Sequence, residues 1–184
     1  MRLGIRARAP ILRDMYDETD LKILQILQEN ARTPNAEVAR RVGLAPSAVF
    51  QRIRKLEDQG VITGYHAQLC PIALDQGLLA FVLIRTSEGA RARETAAMLS
   101  AIPEVLEVHR VVGDDCFFLK VRVRDTDALG ALLDEKIQPL PPVASTRTTI
   151  VLTTAKDTDP PVQIVLDRLR STEDSSADRA AQAS

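Results

Sequence analysis

The stretch GLAPSAVFQRIRKLEDQGVI, residues 43–62, leaves few structures open to the chain. Val49, Ile53, Leu56 and Ile62 recur at three- to four-residue spacing, so they line one side of a helix and pack inward. Ser47, Gln51, Arg52, Arg54 and Lys55 take the remaining faces. Pro46 suits the first helical position, and Gly60 suits the left-handed residue that ends a helix. A helix with Ser, Gln and Arg facing outward has the chemistry to enter the major groove of DNA, where base edges bond to Gln and Arg. A solvated surface helix shows the same amphipathic pattern, so the flanking residues must decide.

Upstream, Asp17 predicts the cap of a first helix, with Glu18 and Asp20 in its first turn, where negative charge meets the positive end of the helix dipole. Leu21, Ile23, Leu24, Ile26 and Leu27 form its inward face, and Asn30-Ala31-Arg32 interrupts it. Thr33 and Pro34 then read as cap and first residue of a short second helix with Val38, Ala39 and Val42 inward, ending at Gly43. Two helices joined by a short Gly-containing turn, the second of them cationic, make a helix-turn-helix.

The period changes after Gly77. Leu78–Arg85 reads as a buried strand, Ala90–Ile102 as a helix with Ala92, Ala96, Leu99 and Ile102 inward, and Val105–Val112 as a strand. Gly113-Asp114-Asp115 is a tight turn, and Cys116–Val123 completes a hairpin. Thr126–Lys136 is a helix capped by Thr126 with Leu129, Leu132 and Leu133 inward, and Ser145–Thr154 is a last strand. The order β-α-β-β-α-β predicts a ferredoxin-like sheet with two helices on one face. Leu119, Val121, Val123, Ile150 and Leu152 cannot all point at those helices, so the open face is expected to be covered by a second copy, giving a homodimer.

The fold class expected is therefore α+β, a winged helix-turn-helix domain followed by a ferredoxin-like domain. The expected organisation is a flexible arm over 1–16 carrying Arg2, Arg6, Arg8 and Arg13; a helix-turn-helix over 17–64; a linker strand over 65–77; the ferredoxin-like domain over 78–156; and an extension over 157–184. In that extension, residues 162–169 suit a short helix or strand and the tail from Ser171 has the composition of disorder.

Charge agrees with this division. Residues 1–65 hold 11 Lys and Arg against 8 Asp and Glu, and the remainder 13 against 17, so the cationic half is the one suited to a polyanion. Aromatics at 3% argue against a reader that stacks single-stranded bases. No apolar run approaches the ~20 residues that span a bilayer and no leader opens the chain, so a cytoplasmic location is expected, with no membrane partner. Cys70 and Cys116 are too few for a disulfide framework and read as reduced thiols.

Several motifs in order resemble one family. Asp17-x-x-Asp20-x-x-Ile23-Leu24, Asn30-Ala31-Arg32, Glu37-Val38-Ala39-x-x-Val42-Gly43-Leu44 and Arg52-Ile53-x-x-Leu56-Glu57-x-x-Gly60-Val61-Ile62 look like the N-terminal half of the Lrp/AsnC (leucine-responsive) regulators. Val112-Gly113-Asp114-Asp115 and Thr146-x-Thr148-x-Ile150-Val151-Leu152 are similar to that family's effector-binding domain. The resemblance covers residues 15–156 and implies a transcription regulator that binds double-stranded operator DNA as dimers, often assembled into octamers, with an amino acid or related metabolite as effector.

It implies Ser47, Ala48, Gln51, Arg52 and Lys55 as DNA readers, with Arg54 beside them on the cationic face. It implies Gly113, Asp114, Asp115 and Cys116 as effector-binding residues, with Thr126 and Ile150 nearby. Arg52 has a structural alternative, a salt bridge to Glu37 or Glu57. Two departures stand out: Ala45 occupies the usual capping position before Pro46, and Cys116 stands where a second acid is usual. A neutral thiol does not suit an α-ammonium, so either Asp114 or Asp115 receives it or the ligand is not an ordinary amino acid.

The rival readings are weaker. A ferredoxin-like enzyme would need a nucleophile and a base, and no such arrangement is visible, so no catalytic residue and no cofactor are expected. A metal- or thiol-responsive regulator would draw on His66, Cys70, His109 and Cys116, which lack the close pairs typical of zinc sites, so no metal is expected.

Overall fold

The computed structural model describes residues 16–87, 91–113, 115–158 and 161–166. The described residues form two compact units, one from those up to Ala67 with those from Thr158 onward and the other from those between Gln68 and Asp157. Residues 1–15 of the N-terminal arm and the tail from Ser171 lie outside the described residues.

The first unit holds α1 (Glu18–Glu29), α2 (Asn35–Val42) and α3 (Pro46–Asp58). Asp17 caps α1 as its sequence predicts: its carboxylate accepts the Asp20 N–H at 2.7 Å while the Asp20 carboxylate accepts the Asp17 N–H. The start of α2 differs from expectation. Pro34 stands before the helix and is not its first residue, and the Thr33 hydroxyl donates instead to the Asn30 carbonyl. Thr33 therefore closes the preceding turn and caps nothing. Gly43 (φ 72°) and Gly60 (φ 68°) end α2 and α3 in the left-handed region where a Cβ is costly. At the end of α3 the Gly60 and Val61 N–H groups bond back to Glu57 and Leu56, satisfying carbonyls the helix leaves open. Ile23, Leu27, Val38, Ala39, Val49 and Ile53 make the core of this unit.

No strand forms between α3 and Leu78, so the expected linker strand over 65–77 is absent; the chain there is irregular apart from a single 3₁₀ turn, Ile72–Leu74. A short helix over residues 162–166 belongs to the first unit: the Val162 N–H donates to Gln28 Oε1 at 2.9 Å, and Gln25 Nε2 donates to Gln163 Oε1 at 2.9 Å.

The second unit holds β1 (Leu78–Thr86), α4 (Ala92–Ser100), β2 (Val105–Arg110), β3 (Phe117–Val123), α5 (Thr126–Ala131) running on into a π-helical stretch (Leu132–Ile137), and β4 (Val143–Ile150). The sheet order is β2-β3-β1-β4 with every pairing antiparallel, the ferredoxin-like topology. Asp125, not Thr126, caps α5, its carboxylate accepting the Ala128 N–H at 2.8 Å. An ionised acceptor bonds more strongly than a hydroxyl and displaces the predicted cap by one residue.

The two faces of the sheet are assigned by register. Phe117, Leu119, Val121 and Val123 on β3 stand opposite Ile84, Val82, Ala80 and Leu78 on β1, and they pack with Leu99, Leu129, Leu132 and Ile137 from the helical layer. Leu119, Val121 and Val123 thus face the helices, whereas Ile150 and Leu152 stay exposed, so the five do not all point at the helical layer. The open face carries the opposite parity: Phe81 and Phe118, stacked at 5.0 Å, with Leu83, Lys120, Arg122, Glu107 and His109. The period of two separates two sets of residues, and only the positions of α4 and α5 decide which set is covered.

Candidate functional site

α3 turns Val49, Ile53 and Leu56 into the core and leaves Ser47, Gln51, Arg54 and Lys55 exposed on one face. Ala48 is half-buried beside them. Ala45 caps with no side-chain bond, and its carbonyl accepts the Ala48 and Val49 N–H groups at the end of the helix where positive charge accumulates.

Arg52 is placed otherwise. Its Nη1 lies 2.6 Å from Asp17 Oδ2 and 2.7 Å from Asp20 Oδ1, so its guanidinium is tied to the first turn of α1. The partners are neither Glu37 nor Glu57. Glu37 instead takes Arg40 and Arg41, which hold its carboxyl down to about 2, and Glu57 accepts the Tyr65 hydroxyl at 2.9 Å. Burial and that bond push the Tyr65 phenol up to about 12. Arg52 lies on the flank of α3 nearest α1, and two carboxylates there outcompete solvent for it. It is an inter-helix clamp in this structure.

Phe50 was not anticipated. It is 48% exposed on α3 and lines, with Leu27, Thr33, Asn35, Arg54 and Tyr65, a groove of about 450 Å³ in the first unit. A large apolar residue one step from Val49 and outside the core spacing was the available signal.

In the second unit, Asp115 stands at the base of the hairpin and Arg147 Nη2 donates to its Oδ2 at 2.5 Å. With Arg85, Ser145 and Thr146 they line a polar pocket of about 280 Å³. Arg85 and Ser145 are opposite each other in the β1–β4 register, so they share one face. Cys116 follows Asp115, and its Sγ accepts the Thr86 hydroxyl at 3.1 Å. That bond, a second from the Thr86 backbone, and the nearby Arg110 and Arg85 together pull the thiol below its ordinary range despite partial burial.

The chain shows two family signatures. Residues 16–63 match the winged helix-turn-helix DNA-binding model and residues 79–161 match the Lrp/AsnC ligand-binding domain model. The HTH-type transcriptional regulator FL11 of Pyrococcus horikoshii is 39% identical over 147 residues, 80% of this chain and 96% of that protein. The leucine-responsive regulatory protein of Escherichia coli K12 is 40% identical over 145 residues, 78% of this chain and 88% of that protein. The solved structure of transcriptional regulator NMB0573 from Neisseria meningitidis, in complex with L-Met, superposes with a TM-score of 0.75 at 34% identity, covering 78% of this chain and 94% of that one.

The chain belongs to the Lrp/AsnC family. As a member it is a DNA-binding transcription regulator with a ligand-binding domain, and its relatives are regulators rather than enzymes. Among the described residues no helix is long and apolar enough to cross a membrane, and no group of three or more His, Cys, Asp and Glu is placed to hold a metal ion.

For a Lrp/AsnC regulator the effector residues expected from sequence fall into two groups. Gly113, Asp115 and Cys116 sit at the hairpin end of the sheet, and Asp114 lies outside the described residues. Thr126 starts α5 beyond the other end of β3, and Ile150 pairs with Ala80, which pairs with Val121. Six residue steps from Phe117 to Val123 span about 20 Å, so within one subunit Thr126 and Ile150 do not join Asp115. Arg85, Ser145, Thr146 and Arg147 do. The alternation Ser145-Thr146-Arg147 shows which of these share a face, but the register that brings them to Asp115 is absent from any local pattern.

Proposed function

We propose that the protein represses or activates transcription by presenting Ser47, Ala48, Gln51, Arg54 and Lys55 to operator DNA from paired copies of α3, and that an α-amino acid bound at the hairpin pocket alters its assembly. The observation that carries the effector reading is the Asp115–Arg147 ion pair inside a small pocket lined by hydroxyl groups. An α-amino acid is itself a zwitterion of that size. Its ammonium can take Asp115 and its carboxylate Arg147, with Arg85 adjacent, so both charges of the pair are satisfied again on binding. Asp115 thereby supplies the acceptor that Cys116 cannot. The L-Met complex of the Neisseria meningitidis relative supports an amino acid as the class of ligand.

The open sheet face supports a homodimer: stacked Phe81 and Phe118, with Leu83, offer an apolar centre, and Glu107, Lys120, Arg122 and His109 a charged surround. Assembly of such dimers into octamers would place several copies of α3 along one duplex. An effector changes that arrangement only if it binds two assemblies unequally.

Calorimetry with each common amino acid, on the wild type and on Asp115→Asn and Arg147→Gln, tests the reading, with sedimentation of the same samples. One amino acid should give heat and shift the sedimentation of the wild type, and both variants should lose both. Absence of heat and of any shift with every amino acid would refute the effector assignment.

A further inference from the structure

We propose that Phe50 reads a thymine in the operator through its C5-methyl group, which makes it a specificity-determining residue alongside the polar positions of α3. This rests on the reading of α3 as the DNA-facing helix. Three observations support it. The apolar residues of α3 that serve the core, Val49, Ile53 and Leu56, are each less than a tenth exposed, whereas Phe50 is 48% exposed. Phe50 therefore does not serve the core of the unit, although half of its ring finds cover.

The second observation is position. Phe50 is the fifth residue of α3, and the N-terminal part of a recognition helix is the part that reaches base edges. Ser47 three residues before it, Arg54 four after it and Gln51 next to it are all exposed, so the phenyl group interrupts an otherwise polar surface. The third is chemistry. Thymine carries the only apolar group on the major-groove edge of a base pair, and a phenylalanine side chain is among the groups that contact it. Gln51 and Arg54 can bond to polar edges at neighbouring base pairs, but neither distinguishes a methyl group from hydrogen. Phe50 adds that discrimination.

The groove beside Phe50 suggests the competing role. With Leu27 and Tyr65 as neighbours along the groove, the ring could simply close the gap beside α1, in which case it stabilises the unit and is indifferent to the base. The two roles differ in one measurable respect. Only a methyl contact makes the effect of Phe50 depend on the thymine methyl.

The experiment uses the full-length protein and a duplex selected by the wild type from a random-sequence library. Each thymine is replaced singly by deoxyuridine, which removes the methyl and leaves base pairing unchanged, and affinity is read by fluorescence anisotropy for the wild type and Phe50→Ala. We expect one thymine per half-site whose replacement weakens wild-type binding by about fourfold, the worth of one buried methyl-sized group. Phe50→Ala should bind the thymine duplex about tenfold more weakly and show no further loss at that one replacement. Phe50→Leu should keep part of the sensitivity.

If Phe50→Ala melts below the assay temperature, Phe50→Leu and the wild-type scan carry the test. A wild type insensitive to every replacement, or selected sites without thymine, overturns the proposal, as does equal sensitivity of wild type and variant at every position. Failure to select any duplex overturns the DNA-facing role of α3 as well, which separates that failure from one confined to Phe50.

Discussion

Arg52 on α3 and Asp20 on α1 are joined across the helix-turn-helix core by a 2.7 Å charged hydrogen bond, with Asp20 only 3% exposed. Asp17 completes the cluster, and its carboxylate also caps α1. The clamp fixes the orientation of the recognition helix against the first helix, and it uses the most conspicuous cation of the α3 sequence to do so. Removing the guanidinium leaves a nearly buried carboxylate without its counter-ion. Arg52→Ala should therefore lower the stability of the first unit by about 1–3 kcal/mol, less than a fully buried pair because Arg52 is a third exposed. Thermal melts check this. Below both melting temperatures, DNA affinity should change less than in Gln51→Ala.

The same cluster predicts a pH dependence. Burial pushes the Asp17 carboxyl up, but the Asp20 N–H and the Arg52 guanidinium outweigh it, leaving the group below its ordinary 3.8. A carboxyl lowered in the folded state contributes stability that is complete above its unfolded value and is lost as pH falls through its folded one. The first unit should thus hold its melting temperature above about pH 5 and lose it below about pH 4. Asp17→Asn should melt lower at neutral pH and show a flatter profile in the acid range.

On the outward face of α3, Gln51 and Lys55 should separate by the kind of loss they cause. Gln51→Ala should cost about 1–3 kcal/mol on the best site and relax the preference at one base pair. Lys55→Ala should weaken all sequences alike and reduce the slope of log K against log salt by about 1. Titrations at several salt concentrations on selected and scrambled duplexes distinguish the two.

The parity of the sheet is open to direct test. Leu119→Ala empties part of the fully buried face and should cost about 3 kcal/mol in the sheet unit. Phe81→Asp places a charge on the opposite face, where it should leave the unit folded but shift sedimentation toward the monomer. Loss of folding in the second and not the first would mean the faces are reversed.

Thr86 should control the thiol of Cys116. With its hydroxyl donating to Sγ, the thiolate is favoured, and Thr86→Val removes that donor. In a Cys70→Ser background, which removes the exposed second thiol, Thr86→Val should slow alkylation by iodoacetamide near neutral pH. An unchanged rate would show that the Thr86 backbone bond and the two arginines set the reactivity without the hydroxyl.

Much of this was legible without coordinates where the information is local. Spacing of Val49, Ile53 and Leu56, Asp17 before an acidic first turn, and Gly60 at a helix end are each statements about residues within a few positions, and each holds in the structure. Misplaced caps at Thr33 and Thr126 are also local. There a neighbouring residue offered a stronger competing bond, which propensity alone does not rank.

Sequence by itself determined the helices and strands of the two units, the linker strand apart, with their order and, through period and motif, the family; these depend on chain neighbours, whose geometry is set by covalent spacing. Only the tertiary structure decided that Arg52 turns to Asp17 and Asp20, that Leu119 is covered while Phe81 is not, and that Asp115 meets Arg147 instead of Thr126 or Ile150. Each of those choices joins residues about 30 or more positions apart, and it is fixed by strand register and helix docking, which no short stretch of chain encodes.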